Sequence, residues 1–178
     1  AELARLLASG GSDPDRLESV ALAWLDAGAD PFACLDGASP LLLASAAGCE
    51  RLLARLLERG LDPRQADRAG LTPLHHALRH PDELALRLVC PLLAAGADPE
   101  QPDCAGETAL AQAQADGRAA LVSWLRWPDW SLPGRRLSGH DLVAAAGAGD
   151  LAAVRRLRGL GLPLDGRDRQ GCTALIRA

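Results

Sequence analysis

The segment Asp67-Arg68-Ala69-Gly70-Leu71-Thr72-Pro73-Leu74-His75 recurs in variant form along the same 178-residue chain. A counterpart, Cys34-Leu35-Asp36-Gly37-Ala38-Ser39-Pro40-Leu41-Leu42, sets two Ser/Thr-Pro-Leu cores 33 residues apart. Asp103-Cys104-Ala105-Gly106-Glu107-Thr108-Ala109-Leu110 follows at a displacement of 36, a degenerate Ser138-Gly139-His140-Asp141-Leu142 at 32, and Asp168-Arg169-Gln170-Gly171-Cys172-Thr173-Ala174-Leu175 at 33. A second landmark keeps the same period: Ala27-Gly28-Ala29-Asp30-Pro31, Arg59-Gly60-Leu61-Asp62-Pro63 and Ala95-Gly96-Ala97-Asp98-Pro99. Two independent landmarks on one period mark an array of structural repeats.

Each landmark has a local physical reason. Ser39 and Thr72 can accept from the orphan amides of a first helical turn, and the proline after them has a preset φ where no donor is needed. A short helix therefore starts there. Small residues follow, such as Ala44, Ala46 and Ala47, or Ala144, Ala145 and Ala146, so neighbouring helices can approach closely. Gly48, Gly117 and Gly149 stop that helix in the left-handed conformation. A second helix carries Leu at helical spacing, Leu52, Leu53, Leu56 and Leu57 in one unit and Leu121, Val122 and Leu125 in another, and Gly60 or Gly96 ends it. The Asp-Pro step and the polar stretch beyond it cannot continue a helix and predict an extended, turning finger. One helix pair cannot bury its apolar stripe alone, so consecutive units must cover one another.

These motifs resemble the ankyrin repeat family, whose unit reads roughly D-x-x-G-x-T-P-L-H-x-A-x-x-G, then a Leu-rich helix and G-A-D. Residues 67 to 99 match that pattern best. The resemblance implies an all-α fold, an ankyrin repeat solenoid of stacked antiparallel helix pairs with β-turn fingers. It also implies a single array over residues 1–178, with units at about 1–33 (divergent), 34–66, 67–102, 103–134, 135–167 (divergent) and 168–178 (truncated). Cys34 stands where Asp is expected, Ser138 where Gly is expected, and His140-Asp141-Leu142 in place of T-P-L, so the fifth unit is expected to be irregular. Between Pro73 and Gly96 the third unit is three residues longer than its neighbour, near Pro81 or the Cys90-Pro91 step.

Net charge is -4 with a sequence pI near 5.5, which gives no global pull toward nucleic acid. All 19 basic residues are Arg, and Lys, Asn, Tyr and Met are absent, which suggests a GC-rich bacterial coding sequence, so Arg enrichment says little about phosphate recognition. The missing Met reads as a fragment. Five cysteines, Cys34, Cys49, Cys90, Cys104 and Cys172, contain no C-x-x-C pair and cannot all pair within the chain, so reduced thiols and a cytoplasmic location are expected. No apolar run approaches the ~20 residues that span a bilayer, and no membrane insertion by this segment is expected.

The family resemblance implies a concave surface of inner helices and fingers that binds a protein partner, with no catalysis and no cofactor. The candidate contact residues are Arg68, Leu71, His76, Arg79, His80, Ala105, Glu107, Arg136 and Gly139. His75, His76 and His80 beside Asp82 and Glu83 look superficially like an acid-base or metal cluster. They lack H-E-x-x-H order and a Cys partner, so His75 is expected to bond internally and His76 and His80 to face a partner. An enzyme reading rests on that cluster alone. Trp124 sits at a Leu position of its helix and is expected in the core. Trp127 and Trp130 lie beyond that helix end, where they would either anchor a partner or cap the apolar edge of a divergent repeat. The finger arginines Arg64, Arg68, Arg135, Arg136, Arg167 and Arg169 interleave with acids and read as a mixed-charge rim; for an acidic partner, Arg135 and Arg136 come first. An alternative from another class is a regulatory or targeting domain of a larger enzyme, prompted by the stop inside Thr173-Ala174-Leu175.

Overall fold

The chain was analysed as a computed structural model that describes residues 2–9, 14–126 and 135–177. Helices pair along the chain: α1 (Glu2–Ala8) with α2 (Pro14–Asp26), α3 (Pro40–Ala47) with α4 (Glu50–Glu58), α5 (Pro73–Ala77) with α6 (Asp82–Ala95), α7 (Ala109–Ala115) with α8 (Ala119–Leu125), and α9 (Gly139–Gly147) with α10 (Leu151–Gly159). A last short helix, α11 (Ala174–Arg177), packs on α9. The described residues contain no sheet, only single antiparallel bridges such as Pro102 with Thr108 that close the base of a finger.

The caps are equivalent from unit to unit. Ser39 and Thr108 accept from the third-residue amides, Leu42 N at 3.4 Å and Ala111 N at 3.1 Å, and Thr72 begins α5 with Pro73 at its first position. In α3, Gly48 then ends the helix at φ 75°. Five residues after each cap stands a fully buried Ala: Ala44, Ala77 and Ala113. Because Ala presents almost no side chain, α3 packs on α5, and α5 on α7, at close range. The outer helices α4, α6 and α8 put Leu52, Leu53, Leu56, Leu88, Leu92, Leu93 and Leu121 into one continuous core. Each fully buried Leu contributes about 1.5–3 kcal/mol.

The longer third unit resolves in favour of both sites that the sequence left open. Pro81 precedes α6, while α5 is only 5 residues long, and α6 runs 14 residues, through Pro91, against 9 in α4. The fifth unit departs from the expected register. Its helix is capped by Ser138, not His140, because Asp141 at the third helical position accepts from the Ser138 amide at 2.8 Å and its hydroxyl at 3.1 Å. Val143 rather than Ala then falls five residues after the cap, so α9 is bulkier where α3, α5 and α7 are smallest.

Two ions, buried Glu18 and half-buried Arg118, staple neighbouring units. The Glu18 carboxylate accepts from Arg51 N at 2.6 Å and Leu52 N at 3.1 Å at the start of α4, where helix amides favour negative charge. Arg118 reaches back to the end of α5, donating to the carbonyls of Leu78 and His80, and pairs with Asp82. Positive charge is favoured at that end for the same reason.

Extensive helix contacts run through α1 to α8 and, separately, through α9 to α11. The second group meets the first on its outer-helix side. Leu137 N donates to Ala94 O at 2.8 Å, the Arg135 backbone lies against Gly96, Trp124 packs its ring on Gly159, and Arg156 donates to Arg126 O. Trp124 is thus partly buried against the core, in a contact with α10. Among the described residues no helix is long and apolar enough to cross a membrane.

Candidate interaction surface

The fingers are built by aspartates that close turns on their own backbone. Asp67 Oδ1 accepts from Ala69 N at 2.9 Å and Leu71 N at 3.0 Å. Asp103 repeats this with Ala105 and Glu107, and Asp168 with Gln170 and Cys172. Where Cys34 replaces the aspartate, Leu35 and Ala38 bond each other's backbone instead, with Asp36 at φ 51°. The fingers then stack: Cys104 N donates to Ala69 O at 3.0 Å, so the third and fourth share backbone.

The histidines are largely committed to this scaffold. His75 Nδ1 accepts from Thr72 N at 3.1 Å and lies 2.9 Å from Thr72 Oγ, which leaves the Nε2 proton for the Glu107 carbonyl at 3.4 Å. One ring thereby caps its own helix and reaches the next finger. His80 Nε2 donates to Ser45 O at 2.9 Å, tying the turn after α5 to the end of α3. His76 Nε2 donates to Asp67 Oδ2 at 3.1 Å, while its Nδ1 is buried without a partner.

Burial lowers the pKa of His76 more than Asp67 raises it, so the ring titrates below its usual range. Asp67 is pushed up by burial but held below the usual carboxylate range by the Leu71, His76 and Ala69 hydrogen bonds together. No group of three His, Cys, Asp or Glu converges on a point among the described residues. All five cysteines are free thiols, and burial together with Glu18 and Asp15 pushes Cys49 up to about 11, far from a reactive thiolate.

The remaining candidates separate by what they touch. Arg68, Ala105 and Glu107 are exposed on adjacent fingers, Leu71 is half-buried at a finger base, and Arg79 is exposed just beyond α5. Among the described residues the side chains of Arg68, Arg79 and Glu107 have no hydrogen-bond or ion-pair partner. Gly139 lies in the first turn of α9 with Gly166 close against it. Arg135 is held by Asp141 in a two-pronged contact, at 2.6 and 3.0 Å. Burial raises the Asp141 pKa, yet Arg135 and Ser138 outweigh it and hold this carboxyl below its usual range. Arg136 is exposed on the outer-helix side, its side chain without a partner among the described residues. Trp127 and Trp130 lie outside the described residues. Sequence reasoning missed Glu18, Arg118 and Asp141 as structural ions; a lone charge within an apolar helical face was the available signal for Glu18.

Capped helix pairs of one period, closed by Asp-turn fingers that share backbone, define a helical repeat protein with an extended polar edge. Residues 41–89 match the family model of ankyrin repeats in many copies. No curated protein matches it. Ankyrin repeats are generally protein-protein interaction modules.

Proposed function

We propose that the chain binds a partner protein through the fingers and inner helices of its second to fourth repeats and performs no catalysis itself. The observation that carries this reading is the contrast between satisfied and unsatisfied polar groups on one edge. His75, His80, Asp67 and Asp103 are spent inside the scaffold, whereas Arg68, Arg79 and Glu107 project from it exposed and unbonded. The finger-to-finger bond holds the backbone beside Arg68 and Glu107, and the Arg79 amide donates to His76 O at 3.2 Å, so a partner can pair with them at little ordering cost. Arg68 and Arg79 supply cations with fixed forks for carboxylates, and Glu107 the opposite charge.

Affinity capture from a lysate of the source organism, with the whole chain as bait, identifies the partner. The double variant Arg68→Glu/Arg79→Glu is expected to lose at least tenfold in affinity for it, with unchanged circular dichroism. Retention of full affinity would remove this edge from the reading.

A further inference from the structure

We infer that the chain has a second binding site, lined by none of Arg68, Arg79 and Glu107, that takes a short acidic peptide with an apolar anchor residue. The site is the groove left where 135–139 and the loop after α10 lie against the ends of α4 and α6. It consists of two adjoining hollows of about 320 and 440 Å3 that share Leu57, Ala95 and Arg136. Leu160 and Leu162 line the larger hollow and Arg64 the smaller.

Charge selects the occupant. Arg64 is answered by Asp62 at 3.7 Å and Arg135 by Asp141 at 2.6 Å, but Arg136, which borders both hollows, has no anion or acceptor for its side chain among the described residues. Its guanidinium is exposed and lies beside apolar walls, and a carboxylate can meet its two parallel N–H groups at once. Glu58 borders the larger hollow and repels an acid there. The peptide's carboxylate therefore sits at Arg136 on the Arg64 side, and its leucine-like side chain enters between Leu57 and Leu160. Acidic residues flanking an anchor fit this distribution; a basic peptide meets Arg136 and Arg64 head on.

The test uses the full chain and two labelled peptides, fluorescein-Gly-Asp-Leu-Leu-Glu-Asp-Gly and its counterpart with Lys at each acidic position, read by fluorescence anisotropy. The acidic peptide is expected to bind and the basic one not. Arg136→Glu should weaken the acidic peptide at least tenfold, because it replaces attraction by repulsion at an exposed side chain on which no internal bond depends. Ala54→Trp, which fills the apolar end, should do the same from the other side. Arg68→Glu on the fingers should leave this affinity unchanged, so the outcome is independent of the fate of the finger edge. Absent binding of the acidic peptide, equal binding of the basic one, or indifference to Arg136→Glu would each overturn the site.

Discussion

The third repeat touches the fourth and the fifth through two seams built from the same parts. At the first, Cys104 N donates to Ala69 O and Gly70 lies flat against the Asp103-Cys104 backbone; at the second, Leu137 N donates to Ala94 O and Gly96 lies flat against Arg135. What surrounds them differs. The finger seam is flanked by His75 reaching Glu107, by Arg118 on the end of α5, and by the buried alanines Ala77, Ala109 and Ala113. Around the other lie two open hollows and an unpaired Arg136. The comparison teaches that a backbone bond and a glycine allow close approach, while packing and reach across the seam make it strong. The residue three places after each cap shows this in miniature. His75 has one ring nitrogen for its own cap and a second for the neighbouring unit; ionised Asp141 only accepts, and its hydrogen bonds are to Ser138 and Arg135 nearby.

Alanine at the two glycines separates the seams. Gly70→Ala combines φ 80° with a Cβ 2.6 Å from Cys104 N, a backbone atom that cannot swing away. A left-handed non-glycine residue alone costs about 1–2 kcal/mol, and with the clash a total loss of about 3 kcal/mol or more is expected in denaturant unfolding, among the large single-substitution effects. Gly96→Ala has a comparable clash, with Cβ 2.5 Å from the Arg135 carbonyl carbon. Its global loss should stay near the ~1–2 kcal/mol of left-handed strain, since the open junction can part to relieve the contact. Gly60→Ala is the control, at φ 90° with nothing near its Cβ. The variants at 60 and 96 should unfold alike, while only Gly96→Ala exposes the Leu137 amide to hydrogen exchange. If Gly96→Ala destabilised as much as Gly70→Ala, the two seams would be equally strong and the distinction would fail.

This division also marks how far the sequence was legible. Caps at Ser39, Thr72 and Thr108, the stop at Gly48 and the Leu positions of the outer helices follow from local chemistry, which repeats with the period. The seam between 94–96 and 135–137 does not, because it joins residues about 40 positions apart that share no motif. Register differs at His140 for a related reason: the motif set His140 at the Thr place of T-P-L, whereas Asp141 draws the cap to Ser138. On the candidate surface, exposure of Arg68, Arg79 and Glu107 was readable from their places in the repeat. The occupation of His80 by Ser45 O and of Arg135 by Asp141 was not, since each depends on how neighbouring elements finally pack.

Mild acid should distinguish the two regions with the smallest effect of all. His76 faces Asp67, Arg79 and His75, and burial holds its pKa below the unfolded value. The unfolded chain therefore takes up this proton first; the stability due to the neutral ring is complete above pH about 6.5 and is lost as pH falls from there through the folded pKa. Asp141 has a depressed pKa, so its contribution is complete above about 3.9 and is lost only as pH falls below that. Hydrogen exchange corrected for intrinsic rates can follow two amides that report on these groups: Leu71 N, bonded to the Asp67 that His76 supports, and Ser138 N, bonded to Asp141. Protection of Leu71 should begin to fall as pH drops below about 6.5 while Ser138 holds until below pH about 4, and His76→Gln should flatten the first slope alone. Loss of both amides in one step near pH 4 would show that His76 does not couple to the finger, and that the third repeat owes its acid sensitivity to carboxylates just as the fifth does.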